Sequence, residues 1–317
     1  MNVGFIGLGN IGSKLAHSLM RNNYRVFVND INKGAAKGLL EKGAKWLTTP
    51  ASIAKNTNVI ITCLPSVKIC TEVLEGKNGV LEGIAPGKVW LEMSTTSHEE
   101  VIRLGKKIIS KGGYVADCPV SGGCHRAETG NISIFAGCER PTFEKIKPLL
   151  ISMGRQVLHT GPLGTASLLK VMTNFLATAN LVSCCEAMTT MKGLGLDLAT
   201  TYEAIKISSG NSFVHETESQ VILNGSRQID FTMGLVLKDI ELFQSLAKSK
   251  DISLEISPLL VSIFKDGVHR YGENESSPCI ISRLEDQTGL KIEAPGFPSE
   301  ITDSEQEQDG FEIVARS

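Results

Sequence analysis

Read for the spacing of its apolar positions, the first half of the chain is a series of short Val/Ile-rich runs. These are Val3 to Ile6, Val26 to Val28, Val59 to Leu64, Val89 to Met93, Tyr114 to Asp117 and Ile132 to Ala136. Segments with helical periodicity separate them. Runs this short and this continuously apolar suit strands covered on both faces, and their alternation with helices predicts an α/β, doubly wound parallel sheet over residues 1–162. After Gly161-Pro162 the pattern becomes long and helical with few strand-like runs, which predicts an all-α domain over residues 163–293. Residues 294–317 follow, with Glu300, Asp303, Glu305, Glu307, Asp309 and Glu312 set against one Arg316 after the segment APGFP. That composition predicts a solvated, flexible tail that activity does not need.

The first run leads directly into GLGNIG, so that Gly7, Gly9 and Gly12, with Asn10 and Ile11 between them, spell GxGxxG between a strand and an apolar-periodic helix. In that context the first glycine makes the tight turn, the second lets backbone approach a pyrophosphate, and the third packs helix on strand. The next strand ends at Asp30, where a carboxylate accepts hydrogen bonds from ribose hydroxyls and repels a 2′-phosphate. No Arg stands at Asn29, Ile31 or Asn32 to offset it, though Lys33 is near, so NAD is favoured over NADP. A strand-end turn would use the same Asp.

Other strand ends point to the same crevice. VIITCLPS closes at Leu64 and Pro65, which border the cofactor or simply punctuate the strand. EMSTTSHEE follows another strand. Thr96 or Ser97 caps the next helix there, and Thr95 is left as a candidate cofactor contact. CPVSGGC supplies Ser121, Gly122 and Gly123, whose amides and hydroxyl can form an anion nest, although Ser-Gly-Gly also makes plain turns.

The helical half opens on LLKVMTN, where Lys170 stands among Leu168, Leu169, Val171 and Met172. A helix apolar on nearly every side is buried, and an unpaired buried ammonium is costly enough to shift its own pKa. Either the side chain snorkels out or the amine is kept inside for chemistry. Asn174, four residues on, shares its face. An amine titrating near ~10.4 in water is a poor acid or base at neutral pH, and burial or a second cation, an oxidised nicotinamide or Lys238, lowers it. Lys238-Asp239 reads equally well as an exposed helical ion pair.

Composition narrows the partners. A chain of 317 residues, 42% hydrophobic, has enough apolar side chains for two cores. A net charge of -2 without a basic arm or stripe argues against nucleic acid and for a small molecule. The eight cysteines show no CxxC pair and the six histidines no HExxH spacing, so reduced thiols and no metal site are expected. The N-terminal VGFIGLG lacks the basic region and long apolar run of a signal peptide or membrane span, which places the protein in the cytosol without a membrane partner.

Taken in order, VGFIGLGNIG, CLP, STT, DCPVSGG with Gly130-Asn131, GPLGTASLLKVMTN, SSGNSF and LKDIELF resemble the β-hydroxyacid dehydrogenase family, most closely its 3-hydroxyisobutyrate dehydrogenase branch, from Met1 to about Leu290. The resemblance implies an N-terminal Rossmann domain joined by a long helix to a helical domain, a site in the cleft between them, and a homodimer or homotetramer. It implies Lys170 as catalytic lysine and Asn174 as its orienting, substrate-binding neighbour. Ser121, Gly122 and Gly123 would take the substrate carboxylate, and Leu64 and Pro65 would lie beside the adenosine half of the cofactor. Thr95 would stand near the nicotinamide, Lys238 would be the second lysine of the cleft among the cofactor contacts, and Phe213 would line the pocket.

The chain also departs from the pattern. Asn211 stands where close relatives commonly show Arg, and His125-Arg126 replace small residues after the glycine pair. The two either form a solvated loop pair or read a second polar or anionic group on the substrate. Thr173, where the phosphogluconate branch has His, and the short chain argue against that branch. The sequence thus predicts NAD-dependent interconversion of a small 3-hydroxy acid and its semialdehyde, with Lys170 as general acid and base. An NADPH-dependent semialdehyde reductase and a non-catalytic NAD(H)-binding sensor are the alternatives.

Overall fold

The computed structural model describes residues 1–316 and divides into two compact units, Met1–Lys170 with the chain from Asp303 onward, and Val171–Thr302. The first unit is built on strands β1 (Asn2–Ile6), β2 (Arg25–Asn29), β3 (Lys45–Trp46), β4 (Val59–Thr62), β5 (Val89–Glu92), β6 (Tyr114–Asp117), β7 (Val120–Ser121), β8 (Ser133–Gly137), β9 (Gln156–Gly161) and β10 (Phe311–Ile313). Its helices are α1 (Asn10–Arg21), α2 (Lys37–Glu41), α3 (Pro50–Asn56), α4 (Val67–Glu75), α5 (Val80–Gly83), α6 (His98–Ser110), α7 (Gly123–Thr129) and α8 (Arg140–Ile151).

The strands lie in the order β10-β9-β8-β6-β5-β4-β1-β2-β3, with β7 paired to β8. Pairing is parallel except where β8 meets β6 and β7. Strand order reverses between β1 and β4, so the crevice beyond their carboxyl ends is the switch point where open α/β sheets bind ligands. The central strands β1, β2, β4, β5 and β6 are buried along nearly their whole length, Val59–Thr62 and Val89–Glu92 throughout, as continuous apolar runs require. Two layers of side chains cover them. Leu15, Leu19, Val28, Ile61, Leu91, Phe143 and Leu149 belong to one, and Phe27, Ile60, Leu74, Trp90 and Leu104 to the other.

The long helix α9 (Thr165–Gly193) carries the chain into the second unit, followed by α10 (Leu198–Lys206), α11 (Phe213–Asn224), α12 (Met233–Lys248), α13 (Ile256–Tyr271) and α14 (Ser282–Thr288). Side-chain caps start three of these, Asp197 accepting from Thr200, Ser212 from His215 and Thr232 from Leu235. Leu181, Met188, Ile222, Val236, Ile240, Phe264 and Ile281 form its core. By length and composition α9 could cross a membrane, yet its second half supplies core residues to this helical unit.

By compactness the chain divides at Lys170/Val171, inside α9, because that helix starts on the first unit. One expectation is corrected here. The acidic end, though solvated along most of its length, is not a loose tail: residues 294–302 belong to the helical unit, and from Asp303 the chain returns to the first. There β10 pairs with β9, Phe311 opposite Gln156 and Ile313 opposite Leu158. The physical reason is charge. Glu312 reaches Arg140 at 2.5 Å and Lys147 at 2.6 Å, Glu305 reaches Arg155 at 2.5 Å, and Glu307 reaches Arg21 at 3.1 Å.

Candidate active site

The glycine motif makes an open cradle. Gly7 follows β1 with φ +93°, and a methyl group there would strike the Cys63 carbonyl; one on Gly12 would strike the Gly7 carbonyl. These two contacts bring the ends of β1 and β4 and the start of α1 together. Around Gly9, by contrast, the space a side chain would fill is empty, and α1 has no acidic residue in its first turn. An anion can therefore approach the helix N-terminus at Asn10 and Ile11, as a dinucleotide pyrophosphate requires. Asp30 is held at the rim, where its Oδ2 accepts from Leu8 N at 2.7 Å and its Oδ1 from Asn32 N at 2.8 Å. Each oxygen keeps a second lone pair for a ribose hydroxyl.

Leu64, Pro65 and Thr95 lie on two turns tied to each other. Leu64 N donates to Ser94 Oγ at 2.7 Å, and the fully enclosed Glu92 accepts from Ser94 N at 2.7 Å and from Thr62 Oγ1 at 2.8 Å. Trp90 Nε1 donates to the same threonine at 2.8 Å. Burial pushes the Glu92 carboxyl above its ordinary value, opposed by these donors. The helix after the second turn, α6, takes its cap from Ser97, which accepts from Glu100 N at 3.3 Å; Thr96 is buried instead.

Asp117, at the end of β6 and buried, anchors the start of α9. Its Oδ1 accepts from Gly164 N at 2.7 Å, and its Oδ2 accepts from Ser167 N at 2.7 Å and Ser167 Oγ at 2.9 Å. The first turn of α9 is thereby fixed to the strand that leads into Ser121, and Lys170 follows one turn later. Lys170 is 8% exposed, so the side chain does not snorkel into water. Asn174 lies one helical turn further along α9. Within the helical unit its Nδ2 donates to Asp239 Oδ2 at 2.5 Å, and the Lys238 ammonium stands 3.0 Å from Asp239 Oδ1 as an ion pair. Asp239 is 2% exposed, which corrects the reading of Lys238-Asp239 as a solvent-facing pair.

The Ser121-Gly122-Gly123 turn leads from β7 into α7, with φ +128° at Gly122 and +83° at Gly123. Only glycine takes that pair of angles without strain, which leaves the turn's backbone uncovered by side chains of its own. His125 and Arg126 do not form a solvated loop pair: both lie on α7, partly buried. A side chain on Gly122 would meet Arg126 Cδ at 3.3 Å, and one on Gly123 would meet His125 Cε1 at 2.9 Å. Burial pushes the His125 pKa down, with Asp303 opposing and Arg126 and Lys14 adding to the shift. Arg126 reaches Glu305 Oε1 at 3.6 Å. Asn211 is engaged locally, donating to Glu216 at 2.7 Å, and Phe213 opens α11 at 48% exposure.

Asp117 and Glu92 were not singled out from the sequence, and Asp239 entered only as the ion-pair partner of Lys238. Each is a carboxylate at the end of an apolar run or within one, and that polarity break is the signal that could have found them. Residues 2–161 match a family described as the NAD binding domain of 6-phosphogluconate dehydrogenase. Residues 164–282 match one described as NAD-binding of NADP-dependent 3-hydroxyisobutyrate dehydrogenase. The chain is 30% identical to the 2-(hydroxymethyl)glutarate dehydrogenase of Eubacterium barkeri, over 92% of this chain and 97% of that one. It is 31% identical to the mitochondrial 3-hydroxyisobutyrate dehydrogenase of Mus musculus, over 83% and 81%. A solved structure described as 3-hydroxyisobutyrate dehydrogenase from Salmonella typhimurium shares the fold with a TM-score of 0.83 at 23% identity, covering 89% of this chain and 99% of that one.

Proposed function

The chain belongs to the β-hydroxyacid dehydrogenase family and is an NAD(P)-dependent oxidoreductase of hydroxy acids; from that premise we propose that it interconverts a small 3-hydroxy acid and its semialdehyde, with Lys170 as general acid and base. The observation that carries the reading is the enclosed Lys170, set one turn into a helix that Asp117 ties to the strand before Ser121-Gly122-Gly123. Gly9, Asn10, Ile11 and Gly12 would hold the pyrophosphate, Asp30 the adenosine ribose, and Leu64, Pro65, Thr95 and Lys238 would border the remainder of the dinucleotide. Asp30 favours NAD over NADP by repelling a 2′-phosphate. When bound, the nicotinamide supplies the hydride acceptor or donor.

The chain's own residues do the rest. Ser121, Gly122 and Gly123 bind the carboxylate and so fix which end of the acid faces Lys170. In oxidation Lys170 Nζ takes the hydroxyl proton, and in reduction it returns a proton to the developing alkoxide. Asn174, its amide nitrogen committed to Asp239, orients the group at Lys170. Phe213 contributes apolar cover. The relatives' names point to 3-hydroxyisobutyrate and 2-(hydroxymethyl)glutarate, which share a hydroxymethyl carbon next to the carbon bearing the carboxylate. A homodimer or homotetramer is what the family resemblance implies. The cytosol suits eight cysteines that are all free thiols.

The test is a screen of small hydroxy acids and their methyl esters with NAD and with NADP, read as absorbance of the reduced nicotinamide, on wild type and Lys170→Ala. Turnover of free acids with NAD, lowered by about two to four orders of magnitude in the variant with NADH binding intact, is the expected result. A variant keeping about a tenth of wild-type turnover with chemistry limiting removes Lys170 from the mechanism. A preference for NADP shifts the reading to a semialdehyde reductase, and NADH binding without any turnover shifts it to a sensor.

A further inference from the structure

The acidic end of the chain reaches the residues beside the Ser121-Gly122-Gly123 turn. The stem of Arg126 lies over Gly122, and its guanidinium is 3.6 Å from Glu305 Oε1, while Glu305 Oε2 accepts from Arg155 at 2.5 Å. Glu305 is not a wandering surface side chain. Its carbonyl accepts from Asn131 Nδ2 at 3.0 Å, its amide donates to Asp303 Oδ1 at 3.0 Å, and Asp303 Oδ2 accepts from Asn131 Nδ2 at 2.8 Å and Thr129 Oγ1 at 2.5 Å. Glu307 on Arg21 and β10 on β9 fix the chain just beyond it. A carboxylate is thus tethered at the cation nearest, along α7, to the turn that takes the substrate's own carboxylate.

Resting on the reading that this turn takes the substrate's carboxylate, we infer that Glu305 is a specificity-determining residue. It occupies Arg126 as a built-in carboxylate, so that a second carboxylate on the substrate must compete with it and monoanionic hydroxy acids are favoured. Arg126 and Glu305 are both partly solvated, side-chain exposures 33% and 49%, so the competition is modest, about three- to fivefold in binding. A second anion gains Arg126 only by displacing an equal charge, whereas a monoanion bound at the turn makes no demand on it.

The probes are glutarate and isobutyrate, analogues without the reacting hydroxyl, used as competitive inhibitors of 3-hydroxyisobutyrate oxidation. In Glu305→Gln the inhibition constant of glutarate should fall about three- to fivefold while that of isobutyrate and kcat stay within about twofold. Glu307→Gln removes the same charge at Arg21 and should leave the ratio of the two constants unchanged. Adding Arg126→Ala to Glu305→Gln should abolish the gain. A purely structural role for the tail predicts that both acids weaken together; that result, no change in the ratio, or a gain that survives without Arg126 overturns the inference. Methyl esters turning over as well as free acids would instead remove the carboxylate reading of the turn, a separate failure visible in wild type.

Discussion

Replacing Asp117 by Asn tests whether one buried carboxylate sets the position of the helix that carries Lys170. The change is nearly isosteric, so its cost comes from hydrogen bonding alone. Three donors converge on the carboxylate, Gly164 N and Ser167 N at 2.7 Å and Ser167 Oγ at 2.9 Å. Asn offers one oxygen and turns an NH2 toward at least one of those backbone amides. Losing one hydrogen bond to a charged group costs about 1.5–3 kcal/mol, and the stranded buried N–H about 1–3 kcal/mol more. Against this stands relief from burying a charge, since burial raises the Asp117 carboxyl above its ordinary value. The net expectation is about 2–4 kcal/mol, a melting shift of about 5–12 °C.

The kinetic consequence separates positioning from plain stability. A misplacement of about 1 Å at the reacting group can cost on the order of a hundredfold. At a temperature where the variant is fully folded, kcat should therefore fall about ten- to a hundredfold, while the NADH dissociation constant, set at Gly9 and Asp30, stays within about twofold. Thermal melting, NADH fluorescence titration and single-turnover kinetics read the three quantities. A variant melting within about 2 °C of wild type with unchanged kcat would refute the argument. So would a loss of NADH binding as large as the loss of turnover, which would mean that the whole sheet edge had moved.

Asp30→Ser should narrow the preference for NAD over NADP, read as the ratio of kcat/KM values, and a wild type that already prefers NADP contradicts the role given to that carboxylate. Glu218, to which Ser277 Oγ donates at 3.2 Å, is pushed up by burial from 4.5 to about 7. The folded chain therefore holds a proton that the unfolded chain releases, and stability falls as pH rises from about 4.5 to about 7. Glu218→Gln should match wild type below that window and melt about 6–12 °C higher at pH 8, a gain of about 3 kcal/mol; equal melting at both ends sinks the assignment. Truncation after Thr302, which composition suggests is harmless, should instead lower the melting temperature by about 5 °C or more, because Arg140, Lys147 and Asn131 lose their partners and β9 loses its neighbour. An unchanged melt would return the segment to a loose appendage.

Strands β1, β2, β4, β5, β6 and β8 are legible because both faces are covered and the runs are continuously apolar. The others are hidden for identifiable reasons. β3 and β7 are two residues long, and β9, QVLHTG, is half polar. In β10 the usual sense is inverted, with Glu312 turned inward to Arg140 and Lys147 at 11% exposure while Phe311 and Ile313 face out at 46% and 37%. Lys170 is legible as a contradiction, a charge in an apolar helix. Asp117 shows only as a carboxylate closing an apolar run, and its task stays hidden because the amides it serves lie 47 and 50 residues away. The tail shows its charge but not its cations, which are scattered from Arg21 to Arg155.

The placement of β10 has a consequence for biosynthesis. The sheet of the first unit is finished by Phe311–Ile313, which leave the ribosome only after the whole helical unit. At about 5–20 residues per second, the interval between the end of β9 and the arrival of β10 is on the order of ten to thirty seconds. Throughout that time β9 offers a row of unpaired amides and carbonyls to any neighbouring nascent chain. A gene cut at the end of α9 encodes a sheet without its last strand, and QVLHTG is the edge through which such a product would associate.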